Sequence, residues 1–223
     1  MTFTPANPYK TITDLREEDL RQIREGGIVA VDTETTGLNP HRDTLCLVQL
    51  CDSQGNVFFV KNKEWHNSPN LKILLSDDKV TKVFHFALFD CTMLLQHLDI
   101  ETRNIYCTKI ASKIVRTYSP EHSLSSLVLE LLDMKLDKSQ QSTDWFAESL
   151  TDKQLTYAAN DVLWLVQTKS ILDHKIKERG FLPSGLSYYE LNLRCQAFIP
   201  TLIHLWLNGW DFGNENRASI FSH

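Results

Sequence analysis

Two carboxylates separated by a single threonine, Asp32 and Glu34, close an apolar run in the segment VAVDTETTGL (29–38). On a strand, successive side chains alternate between faces, so both acids point the same way. That spacing suits a hard divalent cation shared between oxygen ligands. A D-x-E pair is common, and taken alone it reads first as two surface acids at a strand end. In VFHFALFD, His85 ends a strand and Asp90 follows five residues later, in the first turns of a helix. The helix dipole favours an acid there, and the histidine fits a satisfied core role. In YAAND, Tyr157 and Asp161 stand four apart on a helix and share a face. Leu155, Ala158, Ala159, Val162 and Leu165 around them predict that much of this helix is buried. An acid near a buried face needs a partner, and a metal ion is one candidate. An exposed Tyr/Asp stripe is the alternative for this pair in isolation.

The elements that must position these groups follow from periodicity. Residues 1–14 are polar, contain Pro5 and Pro8, and read as an arm. LREEDLRQIREGG (15–27) has helical spacing and stops at glycine. IVAVDTE then reads as a buried strand. TLCLVQLCD (44–52) and NVFFVK (56–61), joined by SQG, carry a hairpin signal. Residues 69–75 form a short helix, KVFHF (82–86) a fourth strand running straight into the helix LFDCTMLLQHL, and NIYCT (104–108) a short fifth strand. From there the chain reads as helical, through TKIASKIVRTY and HSLSSLVLELLD. One long helix over 151–180 has a Thr151/Gln154 capping box and a Gly180 stop, and an apolar helix spans about 188–207. A hairpin-bearing sheet followed by helices predicts an α/β fold with a mixed sheet flanked by helices.

Composition sets limits on function. A chain of 223 residues, 42% hydrophobic and 23% charged, suits one soluble domain. No stretch approaches the roughly 18 consecutive apolar residues of a membrane span, and the first residues have no apolar core of signal-peptide length. The five cysteines are odd in number and show no C-x-x-C pair, so they read as buried thiols of a reducing cytoplasm. A net charge of −5 argues against gripping long nucleic acid duplexes, where phosphate neutralisation supplies much of the affinity.

The order of the three motifs (strand D-x-E, strand-to-helix H-x-x-x-x-D, helical Y-x-x-x-D) resembles the DEDD superfamily of 3′→5′ exonucleases, in its tyrosine subgroup. LDKSQQSTDWFAESLTDKQLTYAANDVLWL is similar to ribonuclease D. Ribonuclease D also carries C-terminal helical RNA-binding domains, for which residues 162–223 leave no room. The wording is closer to the short nanoRNase C type of diribonuclease, through VAVDTETTGLNPHRDTLC, FHFALFD, CTKIASKIVRTY, QQSTDW, YAANDVLWL and NGWDFGNENRASIFSH, from about Tyr9 onward. The resemblance implies a ribonuclease H-like α/β fold, with an exonuclease domain over 15–180. A C-terminal helix and tail over 181–223 would then pack on the domain and on a neighbouring subunit. It also implies a cytoplasmic, octameric ring acting on short single-stranded RNA, above all 5′-phosphorylated dinucleotides, with no membrane association.

Asp32, Glu34, Asp90 and Asp161 would then hold two divalent ions, Mg2+ or Mn2+, with Tyr157 orienting the attacking water. Thr33, Gly37, Leu38, His85, Lys109, Arg116 and His122 would meet the substrate. Gly37 would let the backbone approach a ligand, and Leu38 would wedge between two bases unless it plugs the core below a turn. Lys109, Lys113 and Arg116 recur at helical spacing and, with His122, are candidates for the terminal 5′ phosphate; a solvated basic face is the alternative. On the last helix, Phe198, Ile199, Leu202, Ile203 and their neighbours would serve core or interface, and Phe212 and Phe221 of the tail would dock on a neighbour. Three competing functions remain. The same chemistry could act on longer RNA or on DNA. A non-catalytic binding module would be expected to have lost an acid. A nucleotide-phosphate hydrolase with an unrelated acid cluster would leave the Y-x-x-x-D register unexplained.

Overall fold

The computed structural model describes residues 9–137 and 143–209. Its centre is the strand β2 (Ile28–Thr35), where valine and alanine alternate up to the two acids. β3 (Leu45–Asp52) runs antiparallel beside it and β4 (Val57–Val60) antiparallel beside β3. Gly55, with a positive φ of 87°, makes the β3–β4 turn, and the Asp52 carboxylate accepts from the backbone N–H groups of Gln54 and Asn56. On the other side of β2, β5 (Thr81–Phe84) and then β6 (Ile105–Cys107) run parallel to it. With β1 (Thr11–Ile12) parallel to β4, the six strands form a mixed sheet in the order β1-β4-β3-β2-β5-β6. The expected arm therefore ends as an edge strand, because Thr11 and Ile12 find unpaired backbone groups along β4.

Helices cover both faces. Val29 and Val31 of β2, with Val48 and Leu50 of β3, pack against α1 (Glu17–Gly26), α2 (Pro69–Ser76), α3 (Ala87–Leu98) and α9 (Ile199–Asn208). Ala30, on the opposite face, joins α4 (Thr108–Val115), α5 (Leu124–Leu132) and α7 (Leu165–Glu178). Under the β3–β4 half of that face lies α6 (Asp152–Leu163), with Leu47, Phe59 and Trp145.

Two expected helices are each divided. The 151–180 helix breaks at Trp164 (φ −100°, ψ −6°) into α6 and α7. From β2 the two halves diverge, α6 across β3 and β4 and α7 toward β5 of a twisted sheet, so one straight rod cannot follow both. The capping box stands: Thr151 Oγ1 accepts from Gln154 N–H, and the Gln154 side chain reaches back to Thr151 N–H. The 188–207 helix breaks at Phe198 into α8 (Tyr188–Ala197) and α9, with Pro200 in the first turn of α9, where its missing N–H costs nothing. Ile199 and Ile203 are core, whereas Phe198 and Leu202 are exposed. Phe212 and Phe221 lie outside the described residues. Among the described residues, no helix is long and apolar enough to cross a membrane.

Candidate active site

Strand period places Ala30, Asp32 and Glu34 on the face of β2 that meets α6. Asp161, in the last turn of α6, arrives over them, so carboxylate oxygens of Asp32, Glu34 and Asp161 lie within 4.8 Å of one another. Thr33, on the opposite face, turns toward α3, and its hydroxyl donates to Asp90 Oδ1 at 2.7 Å. The sheet irregularity between Glu34 and Thr35, where Cys46 of β3 is skipped, ends the regular ladder beside the acids. All four acids and Tyr157 line one cleft of about 330 Å3, which they share with Phe86, Phe89, Lys109, Leu124 and Leu136. A larger hollow of about 470 Å3 lies between the 101–105 segment and α8 and α9, and none of these five residues lines it.

Burial dominates the electrostatics. It pushes Asp32 and Glu34 well above the usual carboxylate range, and the neighbouring charges of Asp90 and Asp161 push them further. Asp90 is pushed up to about 7 by burial, against the hydrogen bond from Thr33. Carboxylates held this close need either protons or cations. An all-oxygen donor set of this kind suits a hard divalent ion such as Mg2+. Tyr157 is buried, so the exposed-stripe reading of the Tyr/Asp pair fails. Burial and the charges of Asp161 and Glu34 raise its phenol far above 10, which keeps it protonated and suits it to orient rather than abstract. Its ring packs on Trp145 with centroids 6.0 Å apart. The backbone there is tied down by Lys61 Nζ donating to the Trp145 carbonyl and Gln154 Nε2 donating to the Asp144 carbonyl.

The expected substrate contacts divide. Lys109 lines the cleft, with its ammonium 4.3 Å from the centroid of Phe86. His85 also lines it, but both ring nitrogens are engaged within the chain: Nε2 lies 3.0 Å from the His122 carbonyl and Nδ1 2.9 Å from Thr108 Oγ1. Burial lowers its pKa to about 4, so the ring is neutral and donates through Nε2. His122 pairs through Nδ1 with Ser112 Oγ and does not line the cleft. Thr33 spends its hydroxyl on Asp90. Gly37 is needed for a close approach, but to Asp43: a Cβ would lie 2.3 Å from Asp43 Oδ2. Leu38 is 76% exposed, which removes the core-plug reading.

Arg116 requires a correction. It lies one residue past α4, where non-helical backbone (φ −98°, ψ 52°) takes it off the face of Lys109 and Lys113. Its guanidinium is 2% exposed, pairs with Glu130 through Nε at 3.0 Å and donates to the Glu121 carbonyl. It is neither a solvated face nor a phosphate contact; it fastens α4, the following loop and α5 together. Arg116→Met is expected to lower stability by about 3 kcal/mol, the low end for breaking a buried pair because Glu130 is partly exposed. The thermal midpoint reports that loss. Preference for 5′-phosphorylated over unphosphorylated dinucleotide should not change; a selective loss at an unchanged midpoint would restore the phosphate role.

One site residue escaped the sequence reading. Gln49 of β3 is fully buried, and its Nε2 donates to Asp32 Oδ2 at 2.9 Å. Its signal was a lone amide inside the apolar run TLCLVQLCD.

Comparison with known proteins gives consistent results. A family model described as a 3′–5′ exonuclease matches residues 9–177. Ribonuclease D of Desulfotalea psychrophila is 32% identical over 163 residues, covering 71% of this chain and 43% of that relative. The chain thus spans less than half the length of that curated relative. Among solved structures, Brucella melitensis NrnC bound to pGG superposes with a TM-score of 0.81 at 38% identity, covering 96% of this chain and 97% of that one. The same protein with bound Mg2+ gives the same TM-score, identity and coverage.

Proposed function

Because the chain belongs to the 3′–5′ exonuclease family of the DEDD superfamily, with its ribonuclease H-like fold, we propose that it is a metal-dependent exoribonuclease of very short RNA. It would release nucleoside 5′-monophosphates from the 3′ end and act preferentially on 5′-phosphorylated dinucleotides, as a nanoRNase C-type diribonuclease. The observation that carries this reading is the convergence of Asp32, Glu34 and Asp161 in a cleft that also holds Asp90 and Tyr157. Likeness to NrnC over nearly the full length of both chains supports the preference for short RNA, since the pGG bound to that protein is itself a 5′-phosphorylated dinucleotide. Likeness to its Mg2+-bound form supports the metal.

Asp32, Glu34, Asp161 and Asp90 would hold the divalent ions. When bound, two such ions supply an activated water and neutralise charge on the leaving 3′ oxygen. Thr33 holds Asp90 in place. Tyr157, protonated and wedged against Trp145, orients the water by hydrogen bonding. Lys109 is placed to meet a phosphate in the cleft, and exposed Leu38 is free to wedge between bases. His85 shapes the wall as a neutral ring and carries no charge to the substrate. The same reading implies assembly into an octameric ring.

The test is a product ladder. The protein is incubated with Mg2+ and 5′-labelled RNAs of two to seven nucleotides. Rapid loss of the dinucleotide with slow trimming of longer RNAs is expected. Uniform trimming would instead indicate a general exonuclease of the ribonuclease D kind.

A further inference from the structure

Gln49 stands directly opposite Asp32 in the β2/β3 ladder, so the two side chains project from the same face of the sheet. Its neighbours on that face of β3, Leu47 and Cys51, are buried and apolar. An apolar residue would extend this core, yet an amide occupies the position. Its Oε1 has no hydrogen-bond partner, a cost that an apolar side chain would not carry. Its Nε2 donates to Asp32 Oδ2 at 2.9 Å. Gln49 does not line the cleft; it lies behind the acids.

A carboxamide suits this place better than a cation would. Its NH2 presents the positive end of a dipole to the Asp32 carboxylate and fixes the direction of one of its oxygens. Carrying no net charge, it does not repel a divalent ion, as lysine or arginine would. Asp90 receives the matching treatment from the uncharged Thr33 hydroxyl on the other face of β2.

We propose that Gln49 is a positioning residue of the metal centre, fixing one oxygen of Asp32 from behind so that this carboxylate stays oriented for the ion. This rests on the metal-dependent reading above. Groups that orient metal ligands from behind typically change metal affinity by about 10–100-fold when removed.

The test is Mn2+ binding to the full chain without substrate, followed by electron paramagnetic resonance, alongside the thermal midpoint in chelator. Gln49→Met keeps length and removes the donor. It is expected to weaken Mn2+ binding at least about tenfold without lowering the metal-free midpoint. Affinity within twofold of wild type overturns the proposal, as does a weakening matched by a lower metal-free midpoint. Should Gln49→Met fail to fold, Gln49→Asn, whose shorter amide cannot span the same gap, is read by the same criteria. Wild-type protein that binds no Mn2+ would instead bring down the metal-dependent reading itself.

Discussion

With Asp161 replaced by asparagine, turnover of a short RNA substrate is expected to fall by about three orders of magnitude, or about 4 kcal/mol of transition-state stabilisation. The protein should remain folded. Asp161 closes the three-carboxylate cluster from α6, and asparagine matches its shape while removing the anionic oxygen. Asp32→Ala, on β2, should be equally damaging. Initial rates with Mg2+, with circular dichroism as the folding control, decide the matter. Turnover within tenfold of wild type would take Asp161 out of the metal set.

The second large effect is on stability. In the absence of cations, the buried carboxylates repel one another, so stability should depend steeply on pH and on metal. Asp90 stands at about 7 in the fold against an ordinary 3.8, and Asp32 and Glu34 are also raised. A raised acid keeps its proton more tightly folded than unfolded. Its contribution is therefore fully present below pH 4 and is lost as pH rises through 7. For Asp90 alone this is on the order of a few kcal/mol. Chelator-treated protein should thus melt progressively lower between pH 4 and 7 from this cluster. Millimolar Mg2+ at pH 8 should restore several degrees by binding only the folded state. Asp32→Asn should raise the metal-free midpoint at pH 8 and shrink the Mg2+ effect. A pH-flat midpoint in chelator, unmoved by Mg2+, would contradict the cluster's electrostatics.

What could be read from the chain before its structure follows the range of each interaction. The facing of Asp32 and Glu34 depends only on strand period, and that of Tyr157 and Asp161 only on helical period. The Thr151–Gln154 box is local too. All three could be read because a few consecutive residues determine them. Arg116 could not: helical spacing placed it with Lys109, but α4 stops one residue earlier, and the ion pair with Glu130 belongs to another helix. The break at Trp164 depends on which strands lie beneath each half of the helix, which spacing does not encode. Pro200, by contrast, was visible in the sequence and marks the α8/α9 break; continuous apolar patterning on both sides hid it. Gln49 stood out as one polar residue in a buried strand, but its meaning required the register that sets it against Asp32.

That register also bears on the order in which the molecule is built. β2, β3 and β4 are consecutive antiparallel strands, and the Gln49–Asp32 bond spans only 17 residues. Asp161 meets Asp32 across 129 positions of chain (161 − 32), and α6 reaches β2 only after β5, β6 and the helices α2, α3, α4 and α5 have been laid down. Closing short loops costs less entropy than closing long ones, so the meander is expected to condense first and the α6 carboxylate to dock late. On that order the chain carries Asp32 and Glu34, two of the three carboxylates of the cluster, already braced by Gln49, before Asp161 arrives to complete it. Completion of the acid cluster is therefore expected to be a late step of folding, with hydrogen-exchange protection of the meander preceding it.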